Sequence, residues 1–175
     1  MNKQQLANRI WASANSMRSK IAANEYKDYI LGLIFYKFIS DTEVKYFTQD
    51  CGWQEEELVD LVEDYKDDDM KKAIEECQNK IGFFITYEHL FSTWLGKNAN
   101  FDVATLSAAL GDFDRLLNPN FASVYGGIFK TLREGLSKLG DHPAAQTKAL
   151  RKLIDLIKDI PTDGTQDYDV LGYFY

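Results

Sequence analysis

The stretch Tyr29-Ile30-Leu31-Gly32-Leu33-Ile34-Phe35-Tyr36-Lys37-Phe38-Ile39 decides how the rest of the chain is read. It is the apolar middle of a helical pattern running from Tyr26 to about Phe47, and it is apolar on nearly every side. A helix with no polar face belongs at the centre of a fold, covered by several others. Gly32 costs about 1 kcal/mol relative to alanine in a helix, which marks a close helix crossing. Eleven residues containing Lys37 fall short of the roughly 20 needed to span a bilayer, so no membrane role is expected.

Working outward, the same helical period recurs on both sides. Leu6, Ile10, Ala14, Met17 and Ile21 line one face of a first helix, and Asn24 is placed to cap the next. After Gly52 an acidic segment reads as two short helices, Gln54 to Tyr65 and Asp68 to Asn79. Leu58, Leu61 and Val62 give the former a narrow apolar stripe. Asp67-Asp68-Asp69 suits the N-terminus of the latter, where the helix dipole favours negative charge. Ile81-Gly82-Phe83-Phe84-Ile85 is either a buried extended segment or a tight connection; period alone leaves both open.

Helical spacing resumes with Leu90, Phe91, Trp94 and Leu95. A helix from Asp102 to Leu117 turns Leu106, Ala109, Leu110, Phe113 and Leu117 inward, and Asn118-Pro119 stops it. Phe121, Tyr125, Ile128, Phe129, Leu132, Leu136 and Leu139 describe a helical stretch broken near Gly126-Gly127. His142-Pro143 opens a last helix that buries Leu150, Leu153, Ile154 and Ile157. A turn-rich loop, Thr162 to Thr165, precedes an aromatic ending at Asp169 to Tyr175. The expected fold is all-α: a compact, bundle-like set of helices around the central apolar one, with at most a short extended segment near residues 81–87.

At 175 residues and 45% apolar, the chain has room for one packed domain and is not a disordered tail. Its formal charge of −7 argues at first against nucleic acid. The distribution says otherwise. Residues 50–76 hold twelve acids against three bases, −9, whereas the remainder sums to +2. Residues 115–158 hold eight bases against three acids. Lys148, Arg151 and Lys152 fall on one helical face with Asp155 beside them. With Lys130, Arg133 and Lys138 they form the candidate surface for DNA phosphates or a partner. An ordinary solvated helix face is the competing reading.

No catalytic motif appears. Neither glycine-rich phosphate loop occurs, and Gly126-Gly127 is not a cradle. Cys51, Cys77, His89 and His142 lack metal-ligand spacing. The acidic run lacks the spaced ligands and turn glycine of a calcium loop. The expectation is therefore no catalytic, cofactor-binding or metal-binding residue in this chain, with reduced thiols in a cytoplasmic protein. Asn118-Pro119-Asn120-Phe121 imitates the Asn-Pro-Pro-aromatic motif that holds a flipped base in amino-methyltransferases. It has Asn120 in place of the second proline and no strand ahead of it, so it reads as a helix stop and restart.

Trp11, Ala14, Arg18, Tyr26-Lys27, Ile30 to Phe35, Lys37 and Ile39-Ser40-Asp41 resemble the opening of the modification (M) subunit of type I restriction–modification systems, which are bacterial or archaeal. Similar pieces follow in the same order: Gly82 to Ile85 with Leu90-Phe91, Lys138-Leu139-Gly140, Leu150 with Leu153-Ile154, and Asp169 with Leu171-Gly172 and Tyr175. The resemblance implies a helical, non-catalytic N-terminal domain over residues 1–161. Residues 162–175 would then be a linker and the start of a methyltransferase domain that transfers a methyl group from S-adenosylmethionine to adenine N6. It also implies partners: a specificity subunit, a second modification subunit, a restriction subunit and DNA. No active-site residue is carried over. The alternative is a free-standing helical adaptor with no tie to methylation.

Overall fold

A computed structural model describes residues 23–63, 67–96 and 100–160, together with Gln5, Asn8 and Ala12. The expected first-helix face of Leu6, Ile10, Ala14, Met17 and Ile21 lies outside the described residues, as do Arg18, the loop at 162–165 and the aromatic ending. Among the described residues every regular element is helical, as the spacing predicts. Helix α1 spans Ala23–Lys45 and runs into a π-helical turn, Tyr46–Asp50. Helical backbone is described from Ala23; the Asn24 side chain and the residues ahead of Ala23, on which the expected cap depends, lie outside the described residues. The later helices are α2 (Asp68–Lys80), α3 (Phe91–Trp94), α4 (Val103–Leu116), α5 (Ala122–Tyr125), α6 (Lys130–Gly135) and α7 (Pro143–Ile157). Short 3-10 turns connect them at Glu55–Asp60, Tyr87–His89, Pro119–Phe121 and Leu136–Leu139.

The chain groups into two units: Met1–Phe38, Phe101–Ala104 and Phe129–Tyr175 form the first, and Ile39–Asn100 with Thr105–Ile128 form the second. In the first, α1 buries Tyr29, Ile30, Leu31, Leu33, Ile34 and Tyr36. Phe38 departs from the all-round burial expected of the helix and is 42% exposed. The close crossing predicted at Gly32 is real: a methyl group there would meet Leu132 Cβ at 3.1 Å. Gly135 performs the reciprocal service on α6, because any side chain there would collide with the Tyr29 ring. Tyr36 packs edge-on to Phe129 with ring centres 5.5 Å apart. Helix α7 buries the four predicted residues, each side chain stabilising the fold by roughly 1.5–3 kcal/mol. His142 caps it, Nδ1 accepting from Ala145 N at 3.2 Å, and Pro143 occupies the first turn, where its missing N–H is harmless. Lys37 is buried, and its Nζ donates to Ile160 O at 2.9 Å.

The second unit corrects several boundaries. The expected helix from Gln54 is only the 3-10 turn Glu55–Asp60. Residues three apart eclipse in a 3-10 turn, which suits the burial of Leu58 and Leu61 and leaves Val62 44% exposed. Leu95 is likewise exposed, because α3 is a single turn that ends at Trp94. Helix α4 ends one residue early, so Leu116 is buried and Leu117 only half-buried. Asp67 is the acid that caps α2, its Oδ1 accepting from Asp69 N at 2.9 Å. The Ile81–Ile85 ambiguity resolves into a connection: Gly82 has φ +99 and lies against the Phe121 ring, and the segment pairs with no strand among the described residues. Phe83, Phe113 and Tyr125 cluster with ring centres 5.6–6.3 Å apart.

At the middle of this unit stands a group that sequence reasoning missed. Glu43 is fully buried and its Oε1 accepts from Ile85 N at 2.6 Å. Cys77 Sγ faces the same oxygen at 3.8 Å and donates to Phe83 O at 3.2 Å. Glu43 Oε2 has no hydrogen-bond partner among the described residues. Burial drives the carboxyl well above its ordinary value of 4.5, against the opposing pull of the Ile85 amide. Burial, and then the adjacent Glu43, push the Cys77 thiol up as well, so Cys77 is a core thiol and not a nucleophile.

Candidate nucleic-acid interface

The two units divide the charge. By sequence the first carries thirteen bases and ten acids, +3, and the second seven bases and seventeen acids, −10. All six predicted residues fall in the first unit, and all are exposed. Lys130 and Arg133 lie on the open side of α6, away from buried Leu132 and Gly135. Lys138 sits on the 3-10 turn after it, which Gln146 Nε2 ties to α7 through Gly140 O at 3.1 Å. Lys148, Arg151 and Lys152 share the open side of α7, opposite Leu150, Leu153, Ile154 and Ile157.

They are not equivalent. Lys130, Arg133, Lys148 and Lys152 form no ion pair among the described residues. Asp155, expected beside the basic face, pairs instead with Lys158 at 2.7 Å. Arg151 is fixed from a distance in sequence: Nη2 donates to Phe101 O at 2.7 Å, and Cζ stands 5.8 Å from the centre of the Phe101 ring. Thr147 Oγ1, one turn before Arg151, accepts from Val103 N at 3.0 Å and holds the same segment. Sequence reasoning overlooked Phe101 and Thr147. The available signal was an aromatic directly ahead of a helix start, but spacing says nothing about a partner fifty residues away.

The acidic segment has a structural tie of its own. Arg115 grips Glu63 through two bonds of 2.8 and 2.9 Å and Asp112 through another of 3.2 Å. Among the described residues no three His, Cys, Asp or Glu side chains converge as a metal site. His89 faces Asp112 at 3.6 Å, and His142 is a helix cap. The imitation motif is a staple: Asn118 Oδ1 accepts from Asn120 N, Nδ2 donates to Gln78 O, and its backbone N–H donates to Gly82 O. Gly126 closes the short helix α5, its N–H donating to Ala122 O. No helix of the described residues is long and apolar enough to cross a membrane.

Among the described residues every regular element is helical, which defines an all-α domain. It belongs to the HsdM N-terminal domain family, whose profile matches residues 6–157. The chain is similar to the type I restriction enzyme MpnII methylase subunit of Mycoplasma pneumoniae, 26% identical over 165 residues. That match covers 89% of this chain and 30% of the relative. The fold is also similar to part of a type I restriction-modification system methyltransferase subunit from Streptococcus thermophilus, with a TM-score of 0.74 and 22% identity. This second match covers 99% of the chain and 37% of its counterpart, so the chain spans about a third of the proteins it matches.

Proposed function

We propose that this chain is the non-catalytic helical part of a type I modification subunit, serving subunit assembly and closure around DNA. Family membership over residues 6–157 carries the proposal. The charge division gives it a direction: the basic first unit faces DNA phosphates, and the acidic second unit faces solvent or a basic partner surface. The partners are a specificity subunit, a second modification subunit and, in the full complex, a restriction subunit. On this reading the domain is residues 1–161 and 162–175 lead towards the methyltransferase part, in a cytoplasmic protein.

Methyl transfer to adenine N6 from S-adenosylmethionine belongs to that longer protein. The described residues do not fit the cofactor, because Gly126-Gly127 ends a single helical turn and no strand–glycine loop stands beside it. No step of the reaction is therefore assigned to this chain. Calorimetry with S-adenosylmethionine tests the division of labour. The chain should show no binding, and stoichiometric binding would overturn the non-catalytic reading.

A further inference from the structure

The basic face contains two kinds of cation, and the difference between them has a use. Lys148 and Lys152 are flexible point charges on long stems. Arg151 has a planar head already held by Phe101, which is only 4% exposed and therefore cannot move aside. A guanidinium has five N–H donors. The Phe101 carbonyl takes one, and the other four have no partner among the described residues. Binding normally requires a long side chain to give up its rotamers as it meets a ligand. For Arg151 that ordering has already occurred on folding.

The geometry points to Arg151 as a pre-positioned phosphate contact for duplex DNA, with Phe101 as its positioning residue and Lys148 and Lys152 as flanking charges. This rests on the reading that the first unit faces DNA. Lysine at position 151 would keep the charge but present no planar fork to the Phe101 ring and a phosphate oxygen together. The face then acts as one oriented contact between two diffuse ones.

The test uses the full modification subunit in its assembled complex and a mixed-sequence duplex, titrated over a range of salt concentrations. Arg151→Ala should weaken binding about tenfold and make the log–log salt slope shallower by about 0.9, one phosphate contact. Arg151→Lys and Phe101→Leu should each weaken binding about threefold at unchanged slope, because geometry is lost and charge is kept. Thermal unfolding of Arg151→Lys identifies any folding defect. Wild-type affinity in Arg151→Lys would overturn the pre-positioning claim, and wild-type affinity and slope in Arg151→Ala would overturn the contact itself. Lys148→Glu with Lys152→Glu separates the two levels. If that pair weakens binding while the Arg151 variants do not, the inference fails alone. If the pair is also silent, the DNA-facing reading fails with it.

Discussion

Two ionisable side chains six residues apart on α1 show how differently the two units are built. Lys37, in the first unit, is buried but has a backbone carbonyl at 2.9 Å. Glu43, in the second, is fully buried with one oxygen bonded and the other without a partner among the described residues. Summed over each whole unit the signs are opposite, +3 on the first against −10 on the second. Crowding acids on one unit brings mutual repulsion, which the Arg115 clasp on Glu63 and Asp112 relieves locally. The first unit has the reverse arrangement: Lys130, Arg133, Lys148 and Lys152 form no ion pair among the described residues.

The largest expected effect breaks the first unit's core. Gly135→Ala drives a methyl group into the Tyr29 ring, and overpacking of this kind costs about 3 kcal/mol. Urea unfolding of that variant should show a midpoint shift far larger than Gly127→Ala, where the added group meets only open space but at φ +73. Next comes the second unit's core. Glu43→Ala leaves the Ile85 amide without an acceptor and should cost roughly 2–3 kcal/mol. Glu43→Gln keeps an acceptor and a neutral donor, so it should approach wild type in acid.

With rising pH those two should separate. The folded-state carboxyl titrates above its ordinary value of 4.5, so beyond that pH the unfolded chain loses a proton that the folded chain retains. Wild-type stability contributed by this group then falls with pH until the folded carboxyl itself ionises. Glu43→Gln removes that slope, and its stability relative to wild type should grow as pH rises from 4.5. A gap independent of pH would mean Glu43 is charged in the fold. A smaller effect belongs to His142→Ala, which uncaps α7 at a cost of about 1 kcal/mol. Smallest is Arg115→Ala, whose exposed pairs contribute roughly 0.5–1 kcal/mol, screened by added salt in denaturation curves.

Much of the fold was legible because period and chemistry agreed. The buried face of α7, the inward residues of α4 from Leu106 to Phe113, the Gly32 crossing and the Asp67 and His142 starts all follow from spacing and capping. What escaped was decided by long-range contacts. Glu43 reads as an ordinary helix acid, yet it follows the stripe of Tyr36, Ile39 and Ser40 into the core to bind an amide forty-two residues later. The interleaved units escaped for the same reason: Phe101–Ala104 belongs to the first unit, where Arg151 and Thr147 of α7 bond to Phe101 O and Val103 N. At the candidate interface, spacing put Lys148, Arg151 and Lys152 on one exposed face but could not tell an anchored arginine from a lysine without an ion pair among the described residues.

The central claim is that DNA meets the first unit and not the second. The most direct measurement reverses two lysines in each unit of the assembled complex, Lys148 and Lys152 to glutamate against Lys71 and Lys72 to glutamate, which makes the change in net charge identical. Salt-dependent titrations with duplex DNA should show weaker binding and a shallower slope for the first pair and wild-type behaviour for the second. Equal losses in both pairs, or no loss in the first, would contradict the account.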